Sequence, residues 1–167
     1  MAKTVDLHIA DTSIEGGPSS LSVDLPAINW PKDWSKVKDV SGSATLSYKP
    51  APFDAPQTAI FAVSKIANVY TGTPVDPSYQ LPFKRGMSVL CQCNLVASVT
   101  DTEDPTYRVD LPISAHLVIK APVSGLLTVG HIRTVAERAM SLIYETGVID
   151  DSRLTELLKE CMLPEGV

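Results

Sequence analysis

The residue pattern predicts an α+β fold: an N-terminal β-hairpin, an antiparallel sheet of about five strands and two C-terminal α-helices. Three observations carry that prediction. From Thr106 to Lys120 the odd positions Tyr107, Val109, Leu111, Ile113, Ala115, Leu117 and Ile119 are apolar, and the even ones include Arg108, Asp110, Ser114, His116 and Lys120. That alternation marks a strand with one covered face. From about Thr128 the apolar residues Ile132, Val135, Ala136, Ala139, Met140, Leu142 and Ile143 recur at three- and four-residue spacing, which gathers them on one side of a helix. Both helical patterns follow all the strand patterns, and this segregation favours α+β over an interleaved α/β sheet.

Taken in order, Val5, Leu7 and Ile9 alternate with Thr4, Asp6 and His8, Gly16-Gly17-Pro18 turns the chain, and Leu21, Val23 and Leu25 alternate again, which predicts the hairpin. Pro26 to Asp39 reads as a connection that packs Trp30 or Trp34 onto the core, with a stacking platform for a base as the alternative use of an indole. Ser41 to Lys49 alternates cleanly, Gly42, Ala44, Leu46 and Tyr48 against Ser43, Thr45, Ser47 and Lys49. Pro50 to Gln57 is too proline-rich for a ladder. Ala59 to Tyr70 resumes as a strand with apolar residues on both sides, and Thr71 to Gly86 is a long connection containing Pro74, Pro77 and Pro82.

Met87 to Thr100 is the second clean strand, with Val89, Cys91, Cys93, Leu95, Ala97 and Val99 opposite Ser88, Gln92, Asn94, Ser98 and Thr100. Asp101-Thr102-Glu103-Asp104-Pro105 turns it into the long strand, where Pro112 requires a position that does not need its missing N–H. Gly147 predicts a C-terminal cap for the first helix. Asp150, Asp151 and Ser152 offer N-caps for a second helix with the stripe Leu154, Leu157, Leu158 and Cys161.

Composition bounds what such a fold does. The 167 residues, 44% of them hydrophobic, fit a single domain spanning 1–167 with a packed core. No apolar run reaches the roughly 18 residues of a membrane helix, and the start lacks the order of a signal peptide, so a soluble protein made in a cytoplasm, with no membrane partner, is expected. The three cysteines read as buried free thiols, because Cys91 and Cys93 share the apolar side of a strand. A net charge of −5 disfavours a simple electrostatic nucleic-acid binder but leaves room for one with charge segregated between faces. No nucleophile elbow, phosphate loop, zinc-protease motif or dinucleotide fingerprint occurs, so no catalytic residue, metal, cofactor or small-molecule substrate is expected. Two helices after an antiparallel sheet either cover their own sheet or reach across to a second subunit, and the second arrangement gives a two-fold homodimer.

The stretches DPTYRVDLPISAHLVIKAP, GHIRTVAERAMSLIYETG and VIDDSRLTELLKECMLP, together with SATLSYKPAP in mid-chain, resemble the coat proteins of single-stranded RNA bacteriophages, the levivirus-like family. Convincing residue similarity covers the last third, and the order of elements covers most of the chain. The chain is longer than usual for the family, with the excess falling between Pro50 and Gly86. The resemblance implies a structural capsid protein found in the virion and assembled in the bacterial host cytoplasm. Its helices pack on one face of the sheet and on a partner subunit, its homodimers close into an icosahedral shell around single-stranded genomic RNA, and an operator hairpin binds the inner sheet face to repress translation.

On that reading the polar sides of the strands supply the RNA contacts, with Thr45, Ser47, Lys49, Gln92, Asn94, Arg108, His116 and Lys120 as candidates. The helical stripes supply a dimer interface of Ile132, Val135, Leu154, Leu157 and Leu158, and the turn Asp101, Thr102, Glu103, Asp104 and Pro105 supplies contacts between dimers. The rival reading is an interaction or assembly module of the same fold with no RNA contact.

Overall fold

The computed structural model describes residues 5–9, 25–104, 106–144 and 152–160. The chain divides into two compact units, one of residues 27–123 and one of residues 1–26 with 124–167. Unit 27–123 is a five-stranded antiparallel meander in the order β1-β2-β3-β4-β5, comprising β1 (Trp34–Val40), β2 (Ser43–Tyr48), β3 (Thr58–Ile66), β4 (Gly86–Thr100) and β5 (Arg108–Pro122).

The alternations at Met87–Thr100 and Thr106–Lys120 became the two longest strands, and the one at Ser41–Lys49 became β2. β4 and β5 pair without interruption from Gly86 opposite Pro122 to Thr100 opposite Arg108. Pro112 lies in β5, an outer strand of the sheet, as its missing N–H requires. β3 pairs with β4 from Thr58 opposite Asn94 to Ile66 opposite Gly86, and β2 pairs with β3 from Ser43 opposite Ala62 to Ser47 opposite Thr58.

The part of Pro26 to Asp39 expected to be a connection is instead a short helix, α1 (Trp30–Asp33), followed by β1. Its sequence hides the strand. The register slips between Lys36 and Lys38 at a bulge, and Lys36 and Asp39 fall on the apolar side, so no apolar alternation announces the strand. Trp30 and Trp34 pack as expected, their ring centroids 5.2 Å apart, with Phe61 5.6 Å from Trp30 and Tyr48 5.3 Å from Trp34. Ser41-Gly42 joins β1 to β2, and Gly42 adopts φ 82°, which costs little only for glycine. Its carbonyl also accepts from Val63 N at 2.7 Å, and a Cβ there would stand 2.9 Å from Val63 O. The long connection after β3 contains a single 3-10 turn, Pro77–Tyr79, capped by Asp76, whose side chain accepts from Ser78 N at 2.8 Å.

The core differs from the expectation of a packed domain. Among the described residues only Ala55, Ala59 and Gly86 are buried. The sheet unit is one layer thick, and a single layer cannot close over its own apolar side. Cys91 and Cys93 are free, but Cys91 is half-buried and Cys93 exposed, for the same reason.

In the other unit, α2 (Val129–Ser141) begins at the N-cap Thr128. Thr128 Oγ1 accepts from His131 N at 3.4 Å, while His131 Nδ1 accepts from Thr128 N at 3.2 Å. This is a capping box in which an imidazole takes the place usually held by Glu or Gln. α3 (Ser152–Thr155) runs into a wider π-type turn, Glu156–Glu160. The expected caps Gly147, Asp150 and Asp151, and the stripe residue Cys161, lie outside the described residues. So does most of the expected hairpin; Val5–Ile9 falls in no strand, and His8 turns the chain there with φ 51° and its N–H on Asp6 Oδ1 at 2.8 Å.

Candidate nucleic-acid interface

Paired residues in an antiparallel ladder point to the same side, so the registers define the two faces of the sheet. One face carries Ala44, Leu46 and Tyr48, then Ala59, Phe61 and Val63, then the odd residues of β4 and β5, and is almost wholly apolar. The opposite face carries Ser43, Thr45 and Ser47, and the even residues of β3, β4 and β5.

Every predicted RNA-contact residue that lies within a strand falls on this second face. Thr45, Ile60, Gln92 and His116 form one row across the sheet. Ser47, Thr58, Asn94 and Ser114 form the neighbouring row, about 7 Å away. The rows are linked, since Gln92 Nε2 donates to Asn94 Oδ1 at 2.7 Å and Asn94 Nδ2 donates to Thr58 Oγ1 at 3.1 Å. Half-buried amides held by their neighbours keep their remaining donors and acceptors directed outward, which suits base edges.

The cations divide into free and engaged. Lys120 belongs to a row with Ser64 and Ser88 and is exposed beside an open cavity of about 360 Å³ that Val69, Tyr70 and Pro122 help to line. Lys49 lies one residue past β2, where its N–H donates to Asp33 O at 2.8 Å and its Nζ to Lys32 O at 2.9 Å. That anchors the ammonium without neutralising it.

Arg108 is engaged. It bonds Asp54 from the Pro50–Gln57 segment, Asp110 Oδ1 at 3.0 Å through Nε, and Ser98 Oγ at 3.3 Å through Nη2. Ser98 Oγ in turn donates to Asp110 Oδ1 at 2.6 Å. The Arg108 guanidinium holds the Asp54 carboxyl below its ordinary value, and the Ser98 hydroxyl followed by Arg108 does the same for Asp110. One guanidinium beside two carboxylates is no longer a net positive point for phosphate.

Sequence reasoning missed Lys38, which the bulge at Val37 turns onto the polar face opposite Thr45, while Lys36 pairs with Leu46 on the apolar side. The signal was absent because the strand itself was not read. Trp30 and Trp34 cluster with Tyr48 and Phe61, which lie on the apolar face, so their indoles stand apart from the polar rows.

The turn expected to join dimers links β4 to β5. Asp101 Oδ1 accepts from Glu103 N at 2.9 Å, and Asp104 Oδ1 accepts from Thr106 N at 2.9 Å and from Thr106 Oγ1 at 2.6 Å. The Thr106 hydroxyl and N–H lower the Asp104 carboxyl from its ordinary value. Thr102 is exposed in the same turn, and Pro105 lies outside the described residues.

In the helical unit, Ile132 and Leu157 are half-buried, whereas Val135, Leu154 and Leu158 are exposed. An aliphatic side chain left in water forgoes about 1.5–3 kcal/mol of burial. No described helix is long and apolar enough to cross a membrane.

Solved structures place this arrangement. The chain is similar to the virus-like particle of bacteriophage AVE015, with TM-score 0.88 and 26% identity over 99% of this chain and 100% of that one. It is similar in fold to the virus-like particle of bacteriophage GQ-112, with TM-score 0.79 and 15% identity over 95% of this chain and 96% of that one. It shares a more distant likeness, TM-score 0.52 and 13% identity over 81% of this chain and 92% of that one, with the virus-like particle of Beihai levi-like virus 32. No protein-family model matches the sequence, and no curated protein does.

A sheet with one apolar and one polar face, followed in the chain by helices, is matched nearly end to end by phage particles, whose proteins are structural and not enzymatic. The chain shares its fold with the virus-like particles of levi-like bacteriophages.

Proposed function

We propose that the chain forms two-fold homodimers whose helices clasp the partner subunit and whose β5 strands meet across the axis. These dimers close into an icosahedral shell in the bacterial host cytoplasm and enclose single-stranded genomic RNA in the virion. The polar face contacts that RNA, an operator hairpin included, through Thr45, Ser47, Lys49, Gln92, Asn94, Arg108, His116 and Lys120. Asp101 to Pro105 join dimer to dimer.

The observation that carries the RNA assignment is the convergence of the strand candidates on one face, with Thr45, Gln92 and His116 in one row and Ser47 and Asn94 in the next. Hydroxyls and amides reach base edges there and Lys120 reaches phosphate, with Arg108 positioning its end of the face through Asp54.

The apolar face and the edges support the homodimer reading. Leu111 and Ile113 are 48% and 54% exposed, too much aliphatic surface for a face that stays in water. β1 is a blunted edge, broken by the bulge at Val37 and flanked by Lys36 and Lys38. β5 is a long edge with no irregularity in its register, which suits strand pairing.

The rival, a shell or assembly protein that touches only protein, is favoured by the net charge of −5 and by the neutralised Arg108. Expression followed by sizing and ultraviolet absorbance separates the two. RNA-filled particles of megadalton mass are expected; empty particles overturn the RNA assignment, and a stable monomer overturns assembly.

A further inference from the structure

The open edge of β5 has a chemistry that selects one register. Val123, one place past the strand, donates to Arg85 O at 3.1 Å and so extends the ladder with β4. The odd residues of β5 therefore direct N–H and C=O toward β4, and the even residues direct theirs outward. Two of those outward positions, Pro112 and Pro122, lack a donor.

A second copy that adds to this edge about a two-fold axis runs antiparallel, and outward groups must meet outward groups. The allowed registers thus differ only in which residue sits on the axis. With Pro112 on the axis, two prolines face each other without donors; with Leu117 there, Pro112 faces Pro122 with the same result. With Ile113 or Ser114 there, Pro122 falls beyond the end of the opposing strand. With His116 there, two imidazoles meet, and Arg108 falls beyond the end of the opposing strand.

We infer that β5 pairs with β5 of a second copy with Ala115 on the two-fold axis, which sets Asp110 opposite Lys120 of the partner subunit twice over. This inference rests on the dimer reading above and specifies its geometry. In this register the whole of Arg108–Pro122 is paired, neither proline faces a proline, and Ser114 meets His116 of the partner subunit. On the other face, Ile113 meets Leu117 of the partner subunit and Leu111 meets Ile119 of the partner subunit, so the apolar face runs unbroken through the axis. Asp110 is suited to the pairing, because Ser98 and Arg108 both bond its Oδ1, and Oδ2 takes no bond among the described residues. Lys120 is exposed and makes no ion pair among the described residues.

Disulfide trapping reads the axis directly. In a background with Cys91, Cys93 and Cys161 changed to Ser and shown to assemble, single cysteines are placed at Ile113, Ala115 or Leu117. The purified particles are oxidised with copper-phenanthroline. Residues on the axis in a non-hydrogen-bonded pair bring their Cβ atoms to about 4.5–5.5 Å, so Ala115→Cys is expected to give covalent dimers and the other two singles none. The Ile113→Cys/Leu117→Cys double variant is expected to cross-link, since each faces the other.

A charge exchange gives an independent reading. Asp110→Lys and Lys120→Asp each place like charges across the axis and are expected to lower dimer yield, and the double exchange to restore it. Assembled particles that cross-link at Ile113→Cys or Leu117→Cys alone, or whose double exchange is no better than the singles, overturn the register while leaving the dimer reading intact. A background protein that remains monomeric overturns both.

Discussion

The two faces of the sheet are built by the same strands and differ only in phase, yet they show opposite solutions to the same problem. On the apolar face the side chains satisfy nothing by themselves. Val99, Val109, Leu111 and Ile113 are 39% to 54% exposed and wait for a cover. On the polar face the side chains already satisfy each other, through the Gln92, Asn94 and Thr58 chain and through Asp54, Arg108, Asp110 and Ser98. The difference teaches that an unmet apolar face calls for protein, whereas a pre-ordered polar face suits a ligand that arrives with its own water and counterions.

The comparison breaks most readily on the apolar side. Leu117→Asp places a carboxylate opposite Cys91, among Val89, Cys91 and Ile119, and an unpaired charge under a covering layer costs several kcal/mol. No particles are expected, by sizing and by electron microscopy. Leu157→Asp or Leu158→Asp is expected to abolish dimers in the same way, and unchanged assembly there would take the helical stripe out of the interface.

Next in size is Gly86→Ala, at the buried start of β4. Its Cβ would stand 2.6 Å from Ala121 O and closer still to Val69 Cγ1, so backbone must shift. Overpacking of this kind costs about 1–3 kcal/mol, read as a lower melting temperature of the assembled protein.

Smaller again is Lys49→Ala with Lys120→Ala. RNA content is expected to fall in the particles that form, and the logarithmic salt slope of binding to drop by roughly one for each lysine that contacts phosphate. Equal RNA retention would move the binding surface elsewhere.

The smallest effect is expected at Arg108→Ala. Asp54 and Asp110 have lowered folded values, so their contribution is fully present above the ordinary carboxylate value of 3.8 and is lost as pH falls through the lowered one. Melting curves of wild type and variant should differ at neutral pH and converge in that acid window. A gap that persists at the acid end would mean Arg108 acts through packing and not charge.

The parts of this architecture that were legible in the sequence share a property: their periodicity is unbroken. β4, β5 and α2 are long enough for alternation or helical spacing to dominate, and Thr45, Ser47, Gln92, Asn94, His116 and Lys120 could be assigned to one side from phase alone. β1 was illegible because Lys36 and Asp39 stand on its apolar side and Val37 shifts the phase in mid-strand, and with it went Lys38. The neutralisation of Arg108 was illegible for a different reason: Asp54 is separated from it by 54 residues and meets it only because the β2 to β3 connection folds back over the sheet. Charge counting by strand cannot register such a partner. The open apolar side was readable only as one of two arrangements, because a sequence that is 44% hydrophobic reads the same whether that side is covered from within or by another chain.

The bulge at Val37 has a last consequence. It places Lys36 on one side of the outer strand and Lys38 on the other, so neither side of that edge offers a dry approach to a further strand. A sheet that can grow from only one edge reaches two chains and stops, and the polymer it avoids is the open-ended fibre that flat, paired edges nucleate. In the proposed dimer, one extra residue in one strand sets the stoichiometry of the sheet.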